Sequence, residues 1–167
     1  MNARYHINQL FVGIIVVLSF SLQASGKTAL NVNNCSNGQS LSLTMSEIKV
    51  LPSHEITTRV PWDKQVKRYR GLYLNHVISL VNSDVFQEIN VHARNIYNVF
   101  MSAEELNKYQ YMLAYTVDEK AITIRQKGPL ILIRDLSGIA MDDMNALDIV
   151  VNLVWFVETI NIHCGTR

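Results

Sequence analysis

Cysteine is scarce in this chain of 167 residues: there are two, Cys35 and Cys164, and none between them. His163 beside Cys164 has no further Cys or His at ligand spacing to complete a metal site. Proline (three) and glycine (seven) are too few to build an interior linker, and no internal repeat is present. Nor is charge of one sign in excess, with 15 Lys and Arg against 14 Asp and Glu. That balance argues against nucleic acid as a partner, since phosphate binding needs a positive surplus. It equally disfavours attraction to an anionic membrane surface. Several catalytic signatures are absent as well: G-x-S-x-G, H-E-x-x-H and the phosphate-cradling P-loop.

What is present begins with an N-terminal apolar stretch, Leu10 to Phe20, preceded by Arg4 and His6 and followed by Ala24, Ser25 and Gly26. It is shorter than the roughly 20 residues of a spanning helix. The small residues after it suit signal peptidase. Residues 1–26 therefore read as an export signal cleaved near residues 24–26, with an uncleaved anchor as the competing reading. Residues 27–167 then form one domain in an oxidising compartment, the periplasm. There Cys35 and Cys164 are expected to be bridged rather than free.

Along that domain, residues 31–39 are rich in Asn, Ser and Gly and read as a loop. Thr44 and Glu47 fit a capping box that opens a short helix ending at Pro52. Residues 54–60 are β-branched and strand-like, Pro61 to Lys64 break the strand, and Tyr69-Arg70-Gly71 reads as a turn or strand end. Residues 72–81 carry a helical stripe. Residues 89–93 and 98–101 alternate as strands. Ser102 and Glu105 suggest a second capping box, and residues 111–117 and 121–124 flank a hairpin turn. A buried strand at 130–133, a helix at 141–150 and a closing strand at 153–162 complete a mixed α+β domain.

The most informative local feature is Arg125-Gln126-Lys127-Gly128-Pro129-Leu130 before the apolar run Ile131-Leu132-Ile133. Read as a strand end, it places two cations at i and i+2 on one face. The alternative is a solvated Arg/Lys pair at a hairpin tip. This segment has company: residues 43–52, Trp62 with Tyr69-Arg70-Gly71, Asn95 and Tyr97 after an alternating strand, residues 102–106, and a closing strand with Trp155 and Ile160. Taken in order across most of the domain, these pieces resemble the oxidoreductase molybdopterin-binding domain, the sulfite-oxidase-like family, in its small exported version. The resemblance implies an α+β sulfite-oxidase-like domain shaped for a pterin.

Catalytic members of that family hold molybdenum through a cysteine after a central strand, where this chain offers Arg94 and Asn95. An amide replaces neither the charge nor the donor strength of a thiolate. The expected ligand is therefore a pterin without molybdenum, bound by Trp62, Asn95, Tyr97, Arg125 and Lys127, with Arg59 and Arg70 as weaker candidates. A solvent-facing Trp62 would stack on the ring. Asn95 supplies both donor and acceptor, and Arg125 and Lys127 donate to the ring's carbonyl and nitrogens. Trp155 is read as packed, and the five histidines as structural or solvated.

Small exported proteins of this kind resemble periplasmic pterin-binding regulators of membrane diguanylate cyclase/phosphodiesterases. That likeness implies a non-catalytic signalling role in cyclic-di-GMP and biofilm control, through the partner's periplasmic domain. The alternatives are a molybdopterin-dependent oxidoreductase lacking the cysteine ligand and a ligand-free interaction module.

Overall fold

The computed structural model describes residues 26–81 and 86–163. The export-signal expectation and the Cys164 half of the expected disulfide lie outside them. Among the described residues ten strands and four short helices follow one another in chain order. Strands β1 (Thr28–Asn34) and β2 (Ser40–Thr44) lead into α1 (Met45–Val50), then β3 (His54–Val60) and β4 (Asp63–Tyr73). Helix α2 (Leu74–Ser79) precedes β5 (Glu88–Ala93) and β6 (Asn98–Ser102). Helix α3 (Ala103–Lys108) precedes β7 (Tyr111–Val117) and β8 (Lys120–Ala121). Strand β9 (Ile131–Arg134), helix α4 (Leu147–Val150) and β10 (Val157–His163) close the domain. No helix among the described residues is long and apolar enough to cross a membrane.

Two five-stranded sheets result, one ordered β2-β1-β10-β5-β6, the other β3-β4-β7-β8 with β9 paired to β7. Their facing surfaces share one core. Val32, Ile89 and Ile160 enter it from the first sheet, and Leu72, Leu113 and Leu132 from the second. Because side chains alternate along a strand, Met112, Ala114, Ile131 and Ile133 point the other way. With Val60, Tyr69 and Ile122 they form a smaller apolar cluster on the second sheet's outer face.

The capping box at Thr44 forms as its residue types require. The Glu47 N–H donates to the Thr44 hydroxyl (3.3 Å), and the Glu47 carboxylate accepts from the Thr44 N–H (2.7 Å). At Ser102 only half the motif forms. Its hydroxyl accepts the Glu105 N–H (3.1 Å), but the Glu105 carboxylate instead accepts from Tyr111 Oη and from Asn152 Nδ2.

Other expectations give way to tertiary pairing. Residues 28–34 form a strand, although Asn31, Asn33 and Asn34 made the segment look loop-like. Leu30 before them and Val32 among them are buried, and the Asn33 amide donates to Asn161 of the parallel neighbour β10 (2.8 Å). Tyr69-Arg70-Gly71 lies inside β4. Its glycine answers a close approach at a register shift: a Cβ there would sit 2.2 Å from the Leu113 carbonyl oxygen. The helix expected over 141–150 breaks into a 3-10 turn (Asp143–Asn145) and one turn of α4.

Candidate functional site

Residues 93–97 make the turn between β5 and β6. The Ala93 N–H donates to the Tyr97 carbonyl (2.9 Å) and the Ile96 N–H to the Ala93 carbonyl (3.1 Å). Ile96 sits at φ 65° and is almost wholly exposed, a costly conformation for a β-branched residue. The turn presents Asn95 and Tyr97 on either side of it. Each has part of its hydrogen bonding already fixed. Asn95 Oδ1 accepts the Tyr97 N–H (3.4 Å), which leaves the Asn95 amide protons to donate outward. Tyr97 Oη donates to the Val151 carbonyl (2.8 Å), which leaves its oxygen to accept.

Facing this pair across a groove of about 270 Å³ are Val150, Leu153 and Trp155. Trp155 was expected to be packed in the closing strand. It precedes that strand instead, because Phe156 takes φ 56° and β10 begins at Val157. Two groups hold the indole from outside the groove. Lys127 Nζ lies 3.6 Å from the Trp155 ring centroid, and Trp62 meets the ring nearly perpendicular, with centroids 5.1 Å apart. Each contact contributes about 0.5–1.5 kcal/mol.

Trp62 and Lys127 line an adjoining cleft of about 120 Å³ with Asp63, Lys67, Tyr69 and Ile122. The expected solvent-facing stacking surface at Trp62 is thus half-buried and turned onto Trp155. In this cleft Tyr69 is pushed up to about 12, by burial first and then by the carboxylates of Asp63 and Asp118. Burial would raise Asp63 too, but it is outweighed by hydrogen bonds from Lys67 and the Gln65 N–H, and the carboxyl ends below its usual range.

The segment holding Arg125 and Lys127 is not a strand end. Thr123 and Gln126 close a capping box around a 3-10 turn (Ile124–Gln126), and Lys127 ends it in a left-handed conformation, φ 73°. The Lys127 carbonyl then accepts the Phe156 N–H (2.9 Å), tying the turn to the chain beside Trp155. The two cations therefore do not share a face. Arg125 is exposed and lines neither cleft, while the Lys127 ammonium is held over the indole. Gly128, cis to Pro129, is enclosed: a Cβ would lie 2.3 Å from the Ile122 carbonyl oxygen.

The remaining candidates lie elsewhere. Arg59 is on β3 and lines neither cleft. Arg70, on β4, is bonded to Glu55 through Nε (2.9 Å) and Nη2 (2.5 Å). The Cys35 N–H donates to the Ile162 carbonyl (3.2 Å), at the far end of β10 from Trp155 and about 20 Å away along the strand.

A comparison with protein-family models finds no match, and one with curated proteins finds none either. Solved structures do match. The crystal structure of the sulfane dehydrogenase SoxCD from Paracoccus pantotrophus superposes with a TM-score of 0.60 at 14% identity, over 81% of this chain. The chain spans 38% of the length of that one. At this identity the likeness is one of fold alone, an α+β sulfite-oxidase-like fold.

Proposed function

We propose that the protein is a non-catalytic, exported pterin-binding protein whose ligand lies in the groove between Trp155 and the Asn95–Tyr97 turn. The arrangement of that groove carries the reading. One outward amide donor and one phenolic acceptor sit opposite an aromatic and aliphatic wall. A pterin edge offers both a ring carbonyl and amino protons, so it can accept from Asn95 and donate to Tyr97 Oη. The size also favours the ring alone. About 270 Å³ lies just below the roughly 300–1,000 Å³ of drug-sized ligand sites. Among the described residues no cation lines the groove to hold a phosphate: Lys127 lines the adjoining cleft and Arg125 lines neither.

The residues do not fit molybdenum. Around the groove the donors are an amide, a phenol and an indole, none of them the soft anionic ligand such a metal requires. On this reading the family's cofactor site has become a sensor site. Ligand occupancy is passed to the periplasmic domain of a membrane diguanylate cyclase/phosphodiesterase, which governs cyclic-di-GMP and biofilm formation.

Isothermal titration of the mature protein with oxidised and tetrahydro pterins tests the first step. Saturable binding is expected, lost in Asn95→Ala with the fold intact by circular dichroism. Absence of binding by wild-type protein up to millimolar pterin refutes the reading.

A further inference from the structure

We propose that the surface where α1 meets β3, β4 and β7 is a second binding site, for a small dicarboxylate. It is a cleft of about 420 Å³ lined by Lys49, Glu55, Arg68, Arg70, Thr116 and Glu119, with Tyr115 behind them. None of these residues lines the pterin groove, so the proposal stands or falls independently of that reading.

Arg68 and Arg70 occupy alternate positions of β4 and so share a face, with about 7 Å between their attachment points. Each guanidinium is already occupied by a carboxylate of the same chain. Glu55 accepts two bonds from Arg70, and Glu119 pairs with Arg68. The hydrogen bond from Arg70 holds the Glu55 carboxyl below its usual range against the opposing effect of burial, with the Arg70 and Arg68 charges assisting. All four side chains remain substantially exposed, between 39% and 74%. Exposed ion pairs of this kind are weakly held and exchange readily with a competing anion.

A third cation tips the balance. Lys49, in the last turn of α1, enters the same cleft and forms no ion pair among the described residues. Three cations therefore face two carboxylates. The hairpin that carries Glu119 is also unusual. Asp118 (φ 48°) and Glu119 (φ 67°) fill a two-residue turn where Asn-Gly would be least strained. The turn is pinned to Arg68, whose N–H donates to Asp118 Oδ1 (3.1 Å) and whose carbonyl accepts the Asp118 N–H (2.8 Å). Glu55 and Glu119 thus stand where the two carboxylates of a ligand would bind. A dicarboxylate spanning about 7 Å takes one guanidinium at each end in the planar geometry that arginine favours, and the displaced glutamates turn to solvent. The enclosed volume suits a small molecule rather than a polymer.

Chemical-shift titration with adipate, acetate and the peptide Asp-Ala-Asp tests this. Adipate should saturate wild-type protein. It should bind about tenfold more weakly to Arg70→Gln or Arg68→Gln, and severalfold more tightly to Glu119→Gln, which removes the internal competitor. Acetate should bind at least about tenfold more weakly than adipate. The Asn95→Ala variant should leave adipate affinity unchanged. Failure of adipate to saturate Glu119→Gln by about 10 mM, equal affinity for acetate, or tighter binding of the peptide overturns the proposal. If one arginine variant does not fold, the other and Glu119→Gln still decide it.

Discussion

Replacing Trp155 with leucine separates the groove described here from a site centred on Trp62. A bare pterin has about 12 heavy atoms, and at roughly 0.3–0.5 kcal/mol per atom it gains about 4–6 kcal/mol on binding. That corresponds to dissociation constants between about 1 mM and several tens of µM. An aromatic wall contributes about 1–3 kcal/mol to holding a planar base, so Trp155→Leu should weaken binding about 5- to 150-fold. The same change removes the Lys127 and Trp62 contacts with the indole, and stability should fall by about 1–3 kcal/mol. Trp62→Leu loses the edge contact and part of the packing of this side chain against both apolar clusters, so it should lower stability by at least about 0.5–1.5 kcal/mol, but affinity by less than Trp155→Leu does. Isothermal titration gives the affinities, and urea denaturation of the same samples gives the stabilities. If Trp62→Leu abolishes binding while Trp155→Leu binds like wild type, the groove has been assigned to the wrong indole.

Three further outcomes follow from the packing. Gly71→Ala forces a methyl group onto the Leu113 carbonyl at the β4–β7 register shift, and should cost about 2–4 kcal/mol in urea denaturation; a loss below 0.5 kcal/mol would show that the sheet relaxes there. Burial raises the folded pKa of Tyr69 to about 12, so the unfolded chain releases this proton first; stability should fall as pH rises from about 10 through 12, and Tyr69→Phe should flatten that decline. The Cys35 N–H bonds to the Ile162 carbonyl, bringing Cys35 beside the chain leading to Cys164. A disulfide is expected by mass spectrometry of the non-reduced protein, worth about 4–5 kcal/mol on the chain-entropy account; detection of both thiols free removes it.

Much of the framework was legible in the residues. Alternation at 89–93 and 98–101 marks β5 and β6, and the Thr44–Glu47 spacing marks the start of α1. Asn95 and Tyr97 follow the first of these alternating strands in sequence, and the turn between β5 and β6 brings both to one groove. Local pattern failed where a distant partner supplied the satisfaction. The asparagines of β1 look like loop residues until Asn161 and the parallel strand beside them are in view. Trp155 lies among apolar neighbours, and nothing in Val154-Trp155-Phe156 announces the left-handed residue that swings the indole toward the groove. Arg125 and Lys127 are different, because a signal was there to be read. Thr123-Ile124-Arg125-Gln126 has the S/T-x-x-E/Q spacing of a helix start, which excludes a strand end.

The placement of β10 bears on how the molecule matures. This last strand of the described residues lies in the middle of the first sheet, parallel to β1 on one side and antiparallel to β5 on the other. A chain emerging from the ribosome therefore holds β2-β1 and β5-β6 as two separate hairpins with nothing to join them. Pairings of such long sequence separation form slowly. The sheet closes only after β10 has emerged, so until then the two hairpins stay unjoined and the faces they will bury remain open.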